Sequence, residues 1–319
     1  MSSNSTHEFP SPIGGVPFPE DLVPSILFST LHALLIPIFV WRLVRSRTRT
    51  LVLLGVCCFT IERTVFHALR AYASHHSNSR ESKGLETYFQ TTLAGGYVTL
   101  GQDLMNVSRA LFVNATKGSE ILAREAKSNK NHKPDCGMDW SHLATLDLED
   151  HPRARTFIRR VMFLVTMLFW AAIIIGIVAS VDYPKVLKSG AYGTTVRGLW
   201  NTSAALAISL LMGLAHGAVW ACYAIPRVPR QSTIWIVLIA ALVTVVPVYR
   251  LYVLRFSTTS LASDAPGSLN SAQSKATFYV FHSAPEFLSA AILVSLDARQ
   301  VFNTGLWGDR RRQDPESKV

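Results

Sequence analysis

Long apolar stretches and short polar loops alternate along the chain, and this alternation predicts a bundle of membrane-spanning helices. Each stretch approaches or exceeds the roughly 20 residues that a helix needs to cross about 30 Å of hydrocarbon. Because a chain inside a bilayer must satisfy its backbone hydrogen bonds internally, we expect an all-α, polytopic membrane fold. The seven predicted spans are residues 22–44, 50–73, 88–115, 157–181, 195–224, 233–256 and 275–298.

Lysine and arginine residues concentrate in every second loop and in the C-terminal tail. The segment before the first span contains Glu8, Glu20 and Asp21 but no Lys or Arg. Because short basic loops stay on the cytosolic side, the pattern predicts an N-terminus outside and a C-terminus in the cytosol. The chain then divides into an extracytoplasmic tail (1–21), a transmembrane domain (22–298) with a cytosolic loop (116–156), and a basic cytosolic tail (299–319).

Composition agrees with this interpretation. Hydrophobic residues make up 49% of the chain and charged residues 16%, below the quarter or so that is usual for soluble domains. The net charge of +10 mostly describes the cytosolic face, where it suits the anionic headgroups of membrane lipids. Nucleic-acid binding is not expected, because no folded soluble region remains for it. We expect an integral protein of the plasma membrane or an endomembrane.

The segments outside the predicted spans are short. Residues 1–21 are rich in Ser, Pro and Gly, which predicts disorder, and Asn4 begins a glycosylation sequon. Loop 116–156 is the longest connection and is either a docking site for a cytosolic partner or a solvated linker. In the tail, residues 299–312 interleave apolar residues with arginines, which predicts a short amphipathic helix on the inner leaflet.

Ionisable residues inside the predicted spans are the candidates for function, because a charge at the centre of a membrane helix costs about 2.5–3.5 kcal/mol on insertion scales. Counting along the spans places these residues at similar depths in spans two, three, six and seven. We predict that they form a substrate or coupling cluster and that spans two and three are central helices. The alternative is a salt-bridge network that only locks the bundle. The cluster comprises Glu62, Arg63, Asp103, Arg250, His282 and Glu286.

Two further patterns concern helix packing. Gly213 and Gly217 have the spacing that lets helices approach closely, which predicts packing inside the bundle, with dimerisation as the alternative. Pro247 and Pro285 lie near the buried charges. Because proline frees backbone carbonyls and kinks a helix, they favour a hinge or a cavity there, although kinks for packing alone are also common.

Histidines in four different spans raise the alternative of an intramembrane zinc hydrolase, of the ceramidase or progestin-receptor-like type. They are His32, His67, His216 and His282. The sequence lacks a His-x-x-x-His pair, and the predicted depths of the four residues differ. No phosphate-binding glycine loop or nucleophile elbow is present. We therefore expect neither enzymatic activity nor a bound metal or cofactor.

Three sequence segments together carry a resemblance to a known family. Val23-Pro24-Ser25 opens span one, and residues 55–70 place Glu62 and Arg70 at the acidic and closing basic positions of span two. The third segment, near the end, comprises Tyr249-Arg250, Phe278-Tyr279-Val280-Phe281 and Ala284-Pro285. With these features the chain resembles the fungal lipid-translocating exporter family, also called the aminocholesterol-resistance-like family, over its whole topology.

The chain departs from the pattern of that family at several positions. Val253 stands where an acidic residue is expected, His282 replaces an aspartate after Tyr-Val-Phe, and Glu286 replaces a methionine after the proline. The chain therefore resembles a divergent member or relative of that family. The resemblance implies translocation or efflux of lipid-like, amphiphilic molecules.

On this basis we expect a cavity that opens outward between spans two, three, six and seven, with Glu286 and Glu62 facing Arg250 and Arg63. A neutral Glu286 would couple transport to protons. A G-protein-coupled-receptor-like sensor is an alternative, although no Asp/Glu-Arg-Tyr triplet ends span three and no Asn-Pro-x-x-Tyr ends span seven. A structural or scaffolding membrane protein is a further alternative.

Overall fold

The computed structural model describes residues 7–80, 82–121, 148–187, 189–225 and 227–309. Within these ranges, short elements accompany the long helices: a 3₁₀ turn (Pro19–Asp21), the helices Ser77–Arg80 and Ala298–Val301, and an antiparallel pair of strands, β1 (Phe9–Pro10) and β2 (Ser257–Thr258). The long helices are α1 (Leu22–Val44), α2 (Leu54–His75), α3 (Lys83–Ala115), α4 (Pro152–Val186), α5 (Gly190–Ala224), α6 (Arg230–Val253) and α7 (Ala272–Ser295). The all-α prediction is confirmed.

Five of these helices, namely α1, α4, α5, α6 and α7, are long and apolar enough to cross a membrane. Their outward faces carry large apolar side chains, such as Leu164 (61% exposed) and Ile174 (57% exposed) on α4. Contiguous apolar surface of this kind is unfavourable in water and is expected in lipid. The chain is therefore a multi-pass, membrane-embedded protein. Helices α2 and α3 are less apolar because charged residues interrupt them, among them Glu62, Arg63 and Asp103.

Helix α3 is the central helix, since it packs against α2, α4, α5, α6 and α7. Leu100, Leu104 and Val107 on α3 are completely buried. Helix α2 packs mainly on α1 and has a face on which Ile61 and Val65 are exposed. The prediction of a central position is thus confirmed for α3 but wrong for α2.

Helix α7 contains a π-helical turn, Tyr279–Ser283. Pro285 follows this turn; it has no N–H group and its ring crowds the carbonyl four residues earlier. A widened turn relieves this conflict, and such π-turns often occur at functional sites. Here the turn directs Tyr279, His282 and Ser283 into the protein, where they are buried.

Residues 9–21 pack into one end of the bundle, which we call the upper end. Phe9, Ile13 and Val16 are at most 2% exposed. The hydroxyl of Tyr183 donates to the Pro10 carbonyl at 2.9 Å, and Gln90 exchanges two hydrogen bonds of 3.2 Å with the backbone of Ile13. The disorder predicted for this segment is wrong for residues 9–21, and Asn4 lies outside the described residues.

A buried ion cluster fixes this segment to the bundle. The Asp21 carboxylate accepts two hydrogen bonds from Arg70, at 3.0 and 3.1 Å, and one from the Tyr279 hydroxyl at 2.9 Å. Lys275 Nζ lies 2.8 Å from the second carboxylate oxygen. Arg70 and Lys275 also donate to the carbonyl of Gly14, where a φ of +78° turns the chain toward them.

Residues 297–309 cover the opposite, lower end of the bundle. Only Ala298–Val301 is helical, and Phe302 after it is completely buried. Asp309 pairs with Arg159 at 3.0 Å and with Arg109 at 3.4 Å. The prediction of an amphipathic surface helix is therefore wrong for residues 302–309, and residues 310–319 lie outside the described part.

The two described ends of loop 116–156 are tied together. The Asp150 carboxylate accepts hydrogen bonds from Arg155 at 2.8 Å and from the Gly118 N–H at 2.8 Å. The hydrogen bonds from the Arg155 guanidinium hold the pKa of Asp150 below its usual range, against a smaller opposing effect of burial. Residues 122–147 lie outside the described part, so the partner and linker alternatives for this loop stay predictions.

The Asp21 cluster yields a test of the packed N-terminal segment. Replacing Asp21 with Asn removes the carboxylate that pairs with both buried cations, Arg70 and Lys275, which should lower the free energy of unfolding by about 3–5 kcal/mol. Thermal unfolding of the purified protein in detergent would measure this loss. Glu20→Gln is the matched control because Glu20 is an exposed neighbour. Equal melting temperatures for both variants would contradict the buried cluster.

Candidate functional site

A buried ion pair between α2 and α7 forms the centre of the candidate site. Arg63 Nε donates to Glu286 Oε2 at 2.8 Å, and Arg63 Nη2 donates to Glu286 Oε1 at 2.9 Å. Both side chains are about 1% exposed. Two parallel, charge-assisted bonds of this length are the strongest geometry available to an arginine and an ionised carboxylate. The geometry does not support a neutral Glu286, on which the expected proton coupling depends.

Arg63 also contacts α3 and the neighbouring Glu62. Its Nη1 lies 3.0 Å from Glu62 Oε2, and its Nη2 donates to the carbonyl of Thr92 at 3.2 Å. Gly96 permits this approach, because a Cβ atom at that position would clash with the guanidinium. The cation also lies about 5 Å from the ring centroid of Phe59. Arg63 therefore connects the core of the bundle to Glu62.

Glu62 lies at the side of the bundle rather than in its core. Its side chain is 29% exposed, and the Tyr88 hydroxyl donates to its second carboxylate oxygen at 3.2 Å. Glu62 is near the middle of α2, so in a membrane its carboxylate would lie close to the centre of the hydrocarbon. Placing a partly exposed carboxylate at that depth costs free energy unless the group is paired with another charge or serves a function.

The exposed edge of Glu62 borders a groove of about 240 Å³ between α2 and α3. Small and hydroxyl-bearing residues line the α3 wall, and this is where α2 and α3 separate. The lining residues are Gly55, Cys58, Phe59, Glu62, Thr92, Gly95, Gly96 and Thr99. The groove opens to the side of the bundle, whereas residues 9–21 cover the upper end. The expected cavity opening outward between four spans is thus replaced by a lateral groove between two.

His282 and Arg250 lie beside the ion pair, and neither forms a hydrogen bond with it. His282 Nδ1 is 3.6 Å from Glu286 Oε2, too far for a hydrogen bond. Arg250 donates to the Leu93 carbonyl at 2.9 Å and forms no ion pair within 4.0 Å among the described residues. The expectation that Arg250 would face a glutamate as a partner is therefore wrong.

Asp103 is separate from this cluster and has a structural role. Its Oδ2 accepts a hydrogen bond of 2.6 Å from the N–H of Val56, in the first turn of α2. The first N–H groups of a helix lack partners within it, and the helix dipole favours a negative charge there. Asp103 thus caps α2 from α3, and the close packing of Gly55 against its carboxylate shows why that position is a glycine.

The second buried cluster, formed by Asp21, Arg70, Lys275 and Tyr279, was not predicted from the sequence pattern. The sequence pattern assigned Arg70 only the closing basic position of span two, and Lys275 is only the first residue of the predicted span 275–298. Two signals were available. Lys275 begins an apolar span, and Asp21 immediately precedes one, so both charges are placed where a packed end cap would bury them.

The four histidines do not converge on a metal site. Among the described residues no group of three His, Cys, Asp or Glu side chains could hold a metal ion. His32 and His67 are buried with stacked rings, 6.1 Å between centroids. His216 is on the exposed face of α5, and its Nδ1 lies 2.7 Å from the Met212 carbonyl oxygen.

Gly213 and Gly217 are also on the outward side of α5. A Cβ atom at either position would meet no atom within 4 Å. The prediction that this pair packs inside the bundle is therefore wrong, and dimerisation through it stays a prediction.

Comparisons of the chain with protein-family models, with curated proteins and with solved structures find no match. The likeness to the lipid-translocating exporters accordingly stays a prediction. The geometry of the ion pair and the groove is the basis for the functional interpretation below.

The two glutamates should differ in their effect on stability. Glu286→Gln removes the negative charge and one of the two strong bonds to a fully buried guanidinium and should cost about 3–5 kcal/mol. Glu62→Gln should cost less, about 1 kcal/mol, because Arg63 keeps Glu286 and Glu62 is partly solvated. Thermal unfolding in detergent compares them, and a larger loss for Glu62→Gln would contradict the assigned geometry.

The cap of α2 can be tested at Gly55. A Cβ atom there would lie 2.5 and 2.7 Å from the carboxylate oxygens of Asp103, so Gly55→Ala should displace the carboxylate and cost about 1–3 kcal/mol. Gly213→Ala is the control, since alanine is the better helix former and meets nothing there. If Gly55→Ala were as stable as Gly213→Ala, the capping role of Asp103 would be wrong.

Proposed function

We propose that this protein is a seven-span membrane protein, with its N-terminus outside and its C-terminus in the cytosol, that moves lipid-like amphiphiles between the leaflets. The observation that carries the proposal is the lateral groove between α2 and α3, with Glu62 at its edge. A lateral opening admits a molecule directly from the bilayer, and the carboxylate offers a polar group halfway across. Both features suit a substrate with an apolar chain and a polar headgroup.

The groove provides separate surfaces for the two parts of such a substrate. The headgroup would meet Glu62, the Tyr88 hydroxyl and the hydroxyls of Thr92 and Thr99. The chain would stay against lipid and against the exposed face of α2 at Ile61 and Val65. A headgroup in the middle of the bilayer loses its hydration, and donors or acceptors on the protein replace part of it. The groove would thereby lower the free-energy barrier for moving the headgroup across the hydrocarbon.

Substrate binding would act on the ion pair through Arg63. A headgroup that donates hydrogen bonds to Glu62 competes with Arg63 Nη1, which lies 3.0 Å from Glu62 Oε2. Arg63 would then keep only Glu286 and the Thr92 carbonyl as its partners. Occupation of the groove is in this way coupled to the contact between α2 and α7.

A structural role is the second candidate, and the Arg63–Glu286 pair favours it. Two buried, parallel bonds that join α2 to α7 are also what a helix lock requires. In that case the groove would be a packing gap, and no molecule would move through it. The receptor-like alternative has no observation of its own in the described residues.

Reconstituted vesicles would decide between these functions. Fluorescent phospholipid and long-chain analogues in one leaflet are followed by quenching from outside, with protein-free vesicles as the baseline. Gly95→Leu should reduce the protein-dependent rate at least about 10-fold by filling the groove, because Gly95 lines it and a Cβ atom there meets nothing within 4 Å. Glu62→Gln should slow the movement of headgroups that donate hydrogen bonds.

Gly213→Leu is the matched control, since Gly213 has the same free space on α5, away from the groove. Its rate should equal that of wild type. Melting temperatures of all variants show whether each is folded. If folded wild-type protein moves no analogue, or if Gly213→Leu and Gly95→Leu slow movement equally, translocation through this groove is wrong and the structural role is favoured.

A further inference from the structure

The partly exposed residues of α3 form a polar strip along one side of this helix. From Leu93 to Ala110 every apolar side chain of α3 is buried. The positions that stay partly exposed recur every three or four residues, which places them on one face. Together with Thr92, which continues the same face, we call them the α3 strip; its further members are Gly95, Thr99, Gln102, Asn106 and Arg109.

A polar strip of this length is unusual on a membrane-spanning helix. The outward face of α4, by contrast, carries large apolar residues such as Leu164 and Ile174. At about 1.5 Å per residue, the strip from Thr92 to Arg109 is about 25 Å long, which is most of the roughly 30 Å of hydrocarbon. Polar groups at membrane depth often mark the path of a substrate. The strip therefore indicates a polar substrate that contacts α3 from the side.

The strip is continuous with the groove at Glu62. Three of its members, Thr92, Gly95 and Thr99, line the groove. Helix α2, the other wall, begins at Leu54, where Asp103 of α3 caps its first turn. Below that level Gln102 and Asn106 extend the same face of α3 beyond α2. At the lower end of the bundle the strip reaches Arg109, which pairs with Asp309 at 3.4 Å.

The side chains of the strip offer hydrogen bonds without charge. The hydroxyls of Thr92 and Thr99 donate to carbonyls of their own helix, at 3.1 and 3.0 Å, so their lone pairs can accept from another group. The Oε1 atom of Gln102 has no hydrogen-bond partner, and its amide also carries two N–H donors. Between the level of Glu62 and Arg109 the strip therefore provides neutral donors and acceptors only.

This chemistry favours an uncharged headgroup over an ion. An anion would be repelled by the Glu62 carboxylate at the groove. A cation would pair with Glu62 and would lose that partner on moving along the uncharged part of the strip, which costs free energy at membrane depth. A hydroxyl group both donates and accepts, so it can exchange Glu62 for the amide of Gln102 or Asn106 without leaving a charge unpaired.

We propose that the α3 strip guides lipids whose headgroup is uncharged and carries several hydroxyls, such as a sugar, between the groove and the lower end of the bundle. This inference rests on the proposed translocation through the groove and names its substrate class. The headgroup moves from one polar residue to the next along α3, in steps of about one helical turn. The acyl chains remain in the surrounding hydrocarbon.

The test is the vesicle assay with three fluorescent lipids that have the same acyl chains. One has a glucosyl headgroup, one is the anionic phosphatidylglycerol, which also carries hydroxyls, and one has a primary ammonium. The protein-dependent rate should be at least about 10-fold higher for the glucosyl lipid than for either ion. A charged lipid that moves as fast would overturn the substrate class but leave translocation standing. If none of the three lipids moves, both proposals are wrong.

Gln102→Leu interrupts the strip below the groove without filling the groove. It should lower the rate of the glucosyl lipid about 10-fold, the effect of one lost hydrogen bond. Ser209→Leu is the matched control, because Ser209 is an exposed hydroxyl on α5, away from the strip, and its rate should equal that of wild type. If Gln102→Leu does not fold, Thr99→Val, which keeps the shape of the side chain, replaces it. A wild-type rate in the folded strip variant would overturn this path.

Discussion

A guanidinium group in the interior of an apolar bundle cannot reach water, so acceptors on neighbouring parts of the protein must bond it. This requirement fixes the position of α2. Arg63 and Arg70 are two turns apart on the same face of α2. The first is held by Glu286 of α7 and the second by Asp21, which also binds Lys275 of α7. Helix α2 is thus attached to α7 at two levels by ion pairs. Its contact with α3 is less extensive than its contact with α1, and the groove lies between α2 and α3.

This arrangement explains why Glu62 and Arg63 can have different environments although they are adjacent. Successive residues of a helix are about 100° apart around its axis, so Arg63 enters the core while Glu62 remains at the edge of the groove. The 3.0 Å contact between them connects the groove to the core pair along α2. In the proposed function, a substrate that binds Glu62 changes the contacts of Arg63, and Arg63 is the residue that joins α2 to α7.

The long helices could be predicted from the sequence because each one corresponds to a continuous apolar stretch of the length that a helix needs to cross a membrane. Helix α1 begins and ends where the apolar stretch 22–44 does, and the site residues Glu62, Arg63 and Glu286 were found because charge is rare in such stretches. The pairing was harder to predict. Depth along a span indicates which residues lie at one level, but not which way each side chain points. In the structure Arg63 pairs with both Glu62 and Glu286, and Arg250 pairs with neither. Asp103 instead caps the first turn of α2.

The terminal segments were mispredicted for a related reason. Ser, Pro and Gly in residues 9–21 indicate disorder when only composition is considered. The apolar residues Phe9, Ile13 and Val16 are too widely spaced to form a periodic pattern, yet each fills a site that the ends of several helices create together. The positive φ angles of Gly14 and Gly15 then direct the backbone carbonyls toward Arg70. Such a site exists only after the bundle has assembled.

The distance along the chain between Arg63 and Glu286 has a consequence for how the protein is made. The two residues are 223 positions apart, and ribosomes add about 5–20 residues per second. Helix α2 is therefore complete roughly 10–45 s before the carboxylate that neutralises its arginine has been synthesised. During that interval Glu62, next to Arg63 in the chain, is the nearest available counter-charge. The Glu62–Arg63 pair, which the finished protein keeps at 3.0 Å, would then compensate the arginine until Glu286 arrives.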